Sequence, residues 1–341
     1  MSERQKKKIE ALVEECWKKA KNSSRICNFP GCEEKAIRSH IFQKNGILSS
    51  IANKGHLIVH EGDAFDENTF IFKSKGINKA FSFDCFCAKH DLELFKEIES
   101  VEVDRLDFGL YRNCLLFTMR GVYNELNSKN EVIKFFECLK KNEKVVLDKR
   151  PLMLSLMGNK QGKKDLSAIL KDFWENLENG TEDFVFRLKH IRRIELCLSS
   201  SIIYETTDEL VDYRMKNRED KERITPMFFN LLPTSNKSIL LVGYYKKDHD
   251  NISSYIDGFF GEDEESLEIN ITNLILFRCE TWVCSEYLYL KKMKVVESYF
   301  RIAKKFACDS TNERQVLPIN IFSENFEEQI DAALSSFKER W

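Results

Sequence analysis

Two short stretches of this chain carry side chains suited to a metal ion. Cys27-Asn28-Phe29-Pro30-Gly31-Cys32 sets two thiols on either side of a Pro-Gly turn, which lets both sulfurs face one point. Phe86-Cys87-Ala88-Lys89-His90-Asp91 offers a thiol and an imidazole three positions apart, where a helical pattern begins. Two pairs of soft or borderline donors, more than fifty residues apart, suit one tetrahedral structural zinc held by Cys27, Cys32, Cys87 and His90. A register shift would put Cys85 in the place of Cys87, but Cys87 with His90 opens the helix and Cys85 does not. His40 lies eight residues beyond Cys32 and outside both pairs. It is a candidate general base, the alternatives being a structural histidine or a fifth ligand. Asp91 follows His90 and reads either as a carboxylate ligand or as an acid favoured by the helix dipole.

These residues must be positioned by their surroundings. Ile9, Leu12, Val13, Cys16, Trp17 and Ala20 recur at helical spacing and predict an amphipathic helix over residues 3–21. After the first pair, Ala36 to Phe42 reads as extended chain and Gly46 to Ala52 as a short helix or turn. His56 to His60 and Thr69 to Phe72 read as two strands joined by a polar loop, and Phe81-Ser82-Phe83 as an apolar stretch leading to Cys87. His56 and His60 share one face of a strand and read as a surface pair rather than a metal pair; His190 and His249 read as structural. A helix anchored by Leu92, Leu94, Phe95 and Ile98 follows His90.

Beyond residue 104 the pattern changes. Helices are expected over Leu106–Leu126, Glu131–Lys141, Leu166–Leu177, Ser253–Phe260, Ile269–Phe277, Tyr287–Phe306 and Glu324–Arg340. Strands are expected over Ile194–Leu198, Ser201–Tyr204, Met227–Leu231 and Ser238–Val242, with Pro233-Thr234-Ser235-Asn236 turning between the last two so that they pair as a hairpin. The fold class is α+β, with domains at 1–104 and 105–341.

Composition narrows the class. The chain has 341 residues, 43% apolar and 32% charged, with five prolines and thirteen glycines, which leaves little room for long disordered linkers. A net charge of -2 exerts no global pull on nucleic acid, although residues 21–54 hold six basic and two acidic side chains. The charged N-terminus lacks an apolar signal core and no apolar run reaches membrane-span length. The expectation is a cytoplasmic protein with no membrane partner, its eleven cysteines reduced and those outside the metal site serving as small core residues.

Cys-x4-Cys, then Ala36-Ile37-Arg38-Ser39-His40-Ile41, then Phe86-Cys87-x2-His90-Asp91, resembles the HNH (His-Me finger) endonucleases over roughly residues 25–99. It is most similar to a divergent bacterial branch of stand-alone proteins, some linked to phage or mobile-element defence. The resemblance implies an N-terminal ββα-metal finger of the treble-clef type, with structural zinc on the four ligands and His40 as general base. It also implies that Asp91, where the family usually has histidine, binds the catalytic Mg²⁺ or Mn²⁺. Ser39 stands where many members carry an acidic second ligand. The central asparagine falls near Ser82, Asn78 being the nearest. The function so implied is metal-dependent hydrolysis of nucleic acid, DNA rather than RNA, in genome or phage defence. The second domain would serve regulation, recognition or assembly through a protein partner or a homo-oligomer. The alternative is a binding module that has kept the zinc and lost catalysis.

Overall fold

Helical periodicity builds the first element. In the computed structural model, which describes residues 3–23, 25–62, 70–142, 149–203, 225–279, 281–296 and 317–338, α1 runs Glu3–Lys21. Its Leu12, Val13, Cys16 and Ala20 are buried against Phe135 and Leu139 of α3 (Tyr111–Lys140), as the spacing predicts. Trp17 stacks on Phe135 with ring centroids 4.2 Å apart. Cys16 and Cys138 are joined by a disulfide across this contact, Cα atoms 5.6 Å apart. That corrects the expectation of reduced core thiols at these two positions: the helical spacing that buries Cys16 also places it against Cys138.

The described residues fall into two compact units, and neither is continuous in sequence. The first comprises Met1–Ile41, Ser82–Glu97 and Met119–Thr181; the second comprises Phe42–Phe81, Ile98–Thr118 and Glu182–Trp341. The expected boundary near residue 104 therefore cuts through both. Two stretches cross it: 42–81, which pairs with a strand far along the chain, and 119–181, which belongs to the first unit.

In the first unit, β1 (Arg38–His40) pairs antiparallel with β4 (Ser82–Asp84), matching Arg38 to Asp84, Ser39 to Phe83 and His40 to Ser82. The strand beside β1 is thus the Phe81-Ser82-Phe83 stretch. α2 (Ala88–Glu99) follows at once. α3 is one helix where two were expected. Its polar stretch 127–130 does not break it: Ser128 Oγ donates to the Asn124 carbonyl (3.1 Å) and Asn127 Nδ2 to Glu131 (3.4 Å) within the helix itself. α4 (Lys149–Asn179) buries Leu166, Ile169, Leu170 and Phe173 and extends well beyond the predicted segment.

The second unit is built on a seven-stranded antiparallel sheet in the order β3-β2-β9-β6-β7-β8-β5. Its strands are β2 (His56–Gly62), β3 (Phe70–Gly76), β5 (Phe184–Arg192), β6 (Leu196–Ile203), β7 (Pro226–Pro233), β8 (Lys237–Tyr245) and β9 (Trp282–Cys284). β2 and β3 pair with each other as predicted, but β2 also pairs with β9, Ile58 opposite Cys284 and Val59 opposite Val283. β7 and β8 form the predicted hairpin, Pro233 opposite Ser238. β7 is buried throughout, as its apolar run requires of a central strand. Helices α5 (His249–Phe260), α6 (Glu264–Asn273), α7 (286–296) and α8 (Phe326–Lys338) place Ile252, Ile271, Met293 and Phe326 in one core with Leu198, Phe229 and Val242 of the sheet.

β6 replaces two predicted strands. Its serines do not interrupt it, because Ser199 Oγ donates to Asn230 Oδ1 on the neighbouring strand (2.7 Å). β5 and β9 escaped prediction. Among the described residues β5 pairs only with β8, and its exposed positions are Lys189, His190 and Arg192, whose polarity masks a strand pattern. β9 has three residues. Tyr204, Thr69 and the chain beyond 296 in the predicted helix to Phe306 lie outside the described residues, as do 339–340 of the last predicted helix. Among the described residues no helix is long and apolar enough to cross a membrane.

Candidate metal centre

The four predicted ligands converge. One donor atom from each of Cys27, Cys32, Cys87 and His90 lies within 4.8 Å of every other, and this is the only such group among the described residues. The knuckle forms because Cys32 N–H donates to the Phe29 carbonyl (3.0 Å) and Gly31 takes φ +74°, a conformation that disfavours a Cβ. Its start is pinned by Cys27 N–H to the Glu34 carbonyl (2.8 Å). Asn28 binds it to the end of β4: its backbone N–H and its Nδ2 both donate to the Cys85 carbonyl, at 3.0 and 2.7 Å. Cys87 stands just before α2 and its carbonyl accepts from Asp91 N–H (2.9 Å), so its thiol and the His90 ring emerge on one side of the first turn.

Cys27 Sγ is 3.5 Å and Cys87 Sγ 3.3 Å from His90 Nδ1. A tetrahedral zinc with bonds of about 2.3 Å to sulfur and about 2.0–2.1 Å to nitrogen has S···N edges of about 3.5 Å. The donor set therefore fits zinc in type, number and spacing. Phe29 stacks face to face on His90, centroids 3.9 Å apart, which fixes the ring with Nδ1 toward the thiols. Trp174 of α4 meets Phe29 edge-on at 5.3 Å and donates from Nε1 to the Tyr123 hydroxyl of α3 (2.8 Å). Burial holds the Cys27 thiol above its ordinary pKa, whereas the His90 amide donating to Cys87 Sγ holds that thiol below. Cys85, the alternative ligand, is fully buried outside the group, and burial pushes its thiol well up.

The chain matches no family model, no curated protein and no solved structure.

His40 ends β1, half-buried and outside the four-donor group. Its neighbour Ser39 is buried, with a hydroxyl that finds no hydrogen-bond partner among the described residues. The register sets Ser82, not an asparagine, opposite His40. Asp91 lies in the first turn of α2, but its Oδ1 is buried and faces the guanidinium of Arg120 on α3, 3.9 Å from Nη2. Arg120 is 3% exposed and its guanidinium carbon lies 3.8 Å from the centroid of the Phe95 ring. The basic knuckle is partly neutralised within the unit: Arg25 meets Glu131 at 2.6 Å and Arg38 meets Asp84 at 3.7 Å.

His56 is exposed, but His60 packs against Trp282 at 4.2 Å with a buried Nε2, so the two are not a surface pair. Sequence reasoning missed Phe29, Asn28 and Arg120. Phe29 stands inside the Cys-x4-Cys motif. Arg120 is the single charge in the apolar run Cys114 to Tyr123, a signal of a buried, partnered cation.

Proposed function

We propose that the first unit is a treble-clef finger folded around one structural zinc on Cys27, Cys32, Cys87 and His90. On it we propose an HNH-type endonuclease that hydrolyses phosphodiester bonds of nucleic acid, DNA rather than RNA. The observation that carries this reading is the convergence of the four donors at the head of α2, directly after the strand pair whose first strand ends in His40. Knuckle, two antiparallel strands and helix is the order of such a finger, with residues 42–81 inserted between the strands.

The zinc holds together a motif too small to build a core of its own. His40 accepts a proton from a water molecule as that water attacks phosphorus; the P–O bond to the leaving oxygen breaks and that oxygen takes up a proton from solvent. Elemental analysis and plasmid nicking test the reading together. About one zinc per chain and nicking that is lost in His40→Ala with zinc retained support it. Loss of zinc in His40→Ala, or a folded chain with no zinc, overturns it.

A second reading, a finger that binds nucleic acid or a partner without cutting, is favoured by one observation: Asp91, the carboxylate at the expected ion position, faces Arg120. Wild-type chain that binds DNA but never nicks it decides for this reading.

A further inference from the structure

The finger type proposed above calls for a second, divalent ion on α2, and the residues present do not fit one. Mg²⁺ and Mn²⁺ require several oxygen donors. Among the described residues no other histidine, cysteine or carboxylate joins Asp91 in a convergent group of three. Ser39, where an acidic ligand would stand, is a buried hydroxyl. Asp91 Oδ1 is buried and has no hydrogen-bond partner among the described residues, yet it has a charge partner, Arg120 Nη2 at 3.9 Å.

Arg120 cannot give way by deprotonation, since a guanidinium stays charged. Nor does it have slack to swing aside, being 3% exposed and stacked over Phe95. A divalent ion at Asp91 would sit within a few ångströms of a fixed positive charge in a poorly screened interior.

We infer that the first unit takes up zinc alone, and that Arg120 is the standing cation of Asp91 in place of a second metal ion. Arg120 is then a positioning residue: it holds the Asp91 carboxylate in place in the first turn of α2, next to the zinc ligand His90. The inference rests on the finger reading, but it concerns ion binding and is tested without measuring cleavage. A chain that never nicks DNA sinks the nuclease and leaves this inference standing.

The test is a Mn²⁺ titration of zinc-loaded full-length chain in metal-free buffer, followed by electron paramagnetic resonance. Wild type and Asp91→Asn should bind the same number of Mn²⁺ ions. Arg120→Gln, which removes the charge and sets an amide oxygen beside the Asp91 carboxylate, should gain one weak site completed by water, and Arg120→Gln with Asp91→Asn should lose it again. A purely structural arginine would give no such gain. A Mn²⁺ ion bound by wild type and lost in Asp91→Asn overturns the inference. So does Arg120→Gln that keeps its zinc and gains nothing. If Arg120→Gln loses its zinc, the comparison of wild type with Asp91→Asn decides alone, with equal Mn²⁺ uptake in support and unequal uptake against.

Discussion

The pair of Asp91 and Arg120 should be measurable as a coupling energy. Two unit charges 3.9 Å apart attract by about 4 kcal/mol at an effective dielectric of about 20. The Asp91 side chain is 22% exposed and that of Arg120 4%, so partial screening brings the expected coupling to about 2 kcal/mol. Arg120→Met also loses the contact with the Phe95 ring, worth roughly 1–2 kcal/mol when desolvated. A double-mutant cycle removes that second loss, because both arms that change Arg120 share it. The four proteins are wild type, Asp91→Asn, Arg120→Met and the double variant, unfolded in urea at saturating zinc. Unfolding is followed by tryptophan fluorescence and by zinc release. Arg120→Met should be the most destabilised single variant, and adding Asp91→Asn should recover part of the loss. A coupling below about 0.5 kcal/mol refutes the reasoning, since it would make the two groups neighbours without interaction.

Other perturbations reach different links. Cys87→Ser should lower zinc content and loosen the knuckle and α2, read as faster amide exchange over residues 25–41 and 82–97; unchanged zinc would move the site elsewhere. Opening the Cys16–Cys138 bridge, which closes 122 residues of chain, should cost about 2–5 kcal/mol in urea unfolding, compared as Cys16→Ala with Cys138→Ala against wild type; no difference would show the bridge to be unformed in solution. In the second unit the Ser235 hydroxyl and backbone N–H donate to Asp104 and hold its carboxyl below the usual 3.8. A depressed folded pKa gives stability that is present above pH 3.8 and lost as pH falls through the lower, folded value. Asp104→Asn should therefore be less stable than wild type at neutral pH, with the gap closing in acid; a gap independent of pH would refute this.

The four-donor cluster was legible because its information is local. Cys27 and Cys32 share one turn, Cys87 and His90 share another, and zinc demands four donors whatever the fold. α1 was legible for the same reason, since its buried stripe repeats within nineteen residues. The partners were not legible. Phe83 beside Ser39, β9 beside β2, Cys138 beside Cys16 and Arg120 beside Asp91 join residues whose attraction depends on how the chain closes, and pattern along the sequence does not carry that. The serines of β6 misled for a related reason: Ser199 reads as a breaker until Asn230 is known to stand opposite. The place of Asp91 was read correctly and its surroundings were not, because the cation that faces it lies on another helix.

The strand pair of β1 and β4 bears on how this chain could be cut and rejoined. His40 and Ser82 are direct neighbours across the pair, so the forty-one residues between them leave and return at almost one point in space. Such an excursion behaves as an insert in a host whose ends already meet. Replacing 42–81 by a two- or three-residue hairpin turn would spare the register of β1 with β4 and the four clustered donors while removing β2 from its place beside β9. The reverse operation carries the cost: a fragment starting at residue 105 lacks two of the seven strands and leaves β9 with an open flank. During synthesis the β2–β3 hairpin emerges some two hundred residues before β9, and through that interval it is a sheet edge without its neighbour.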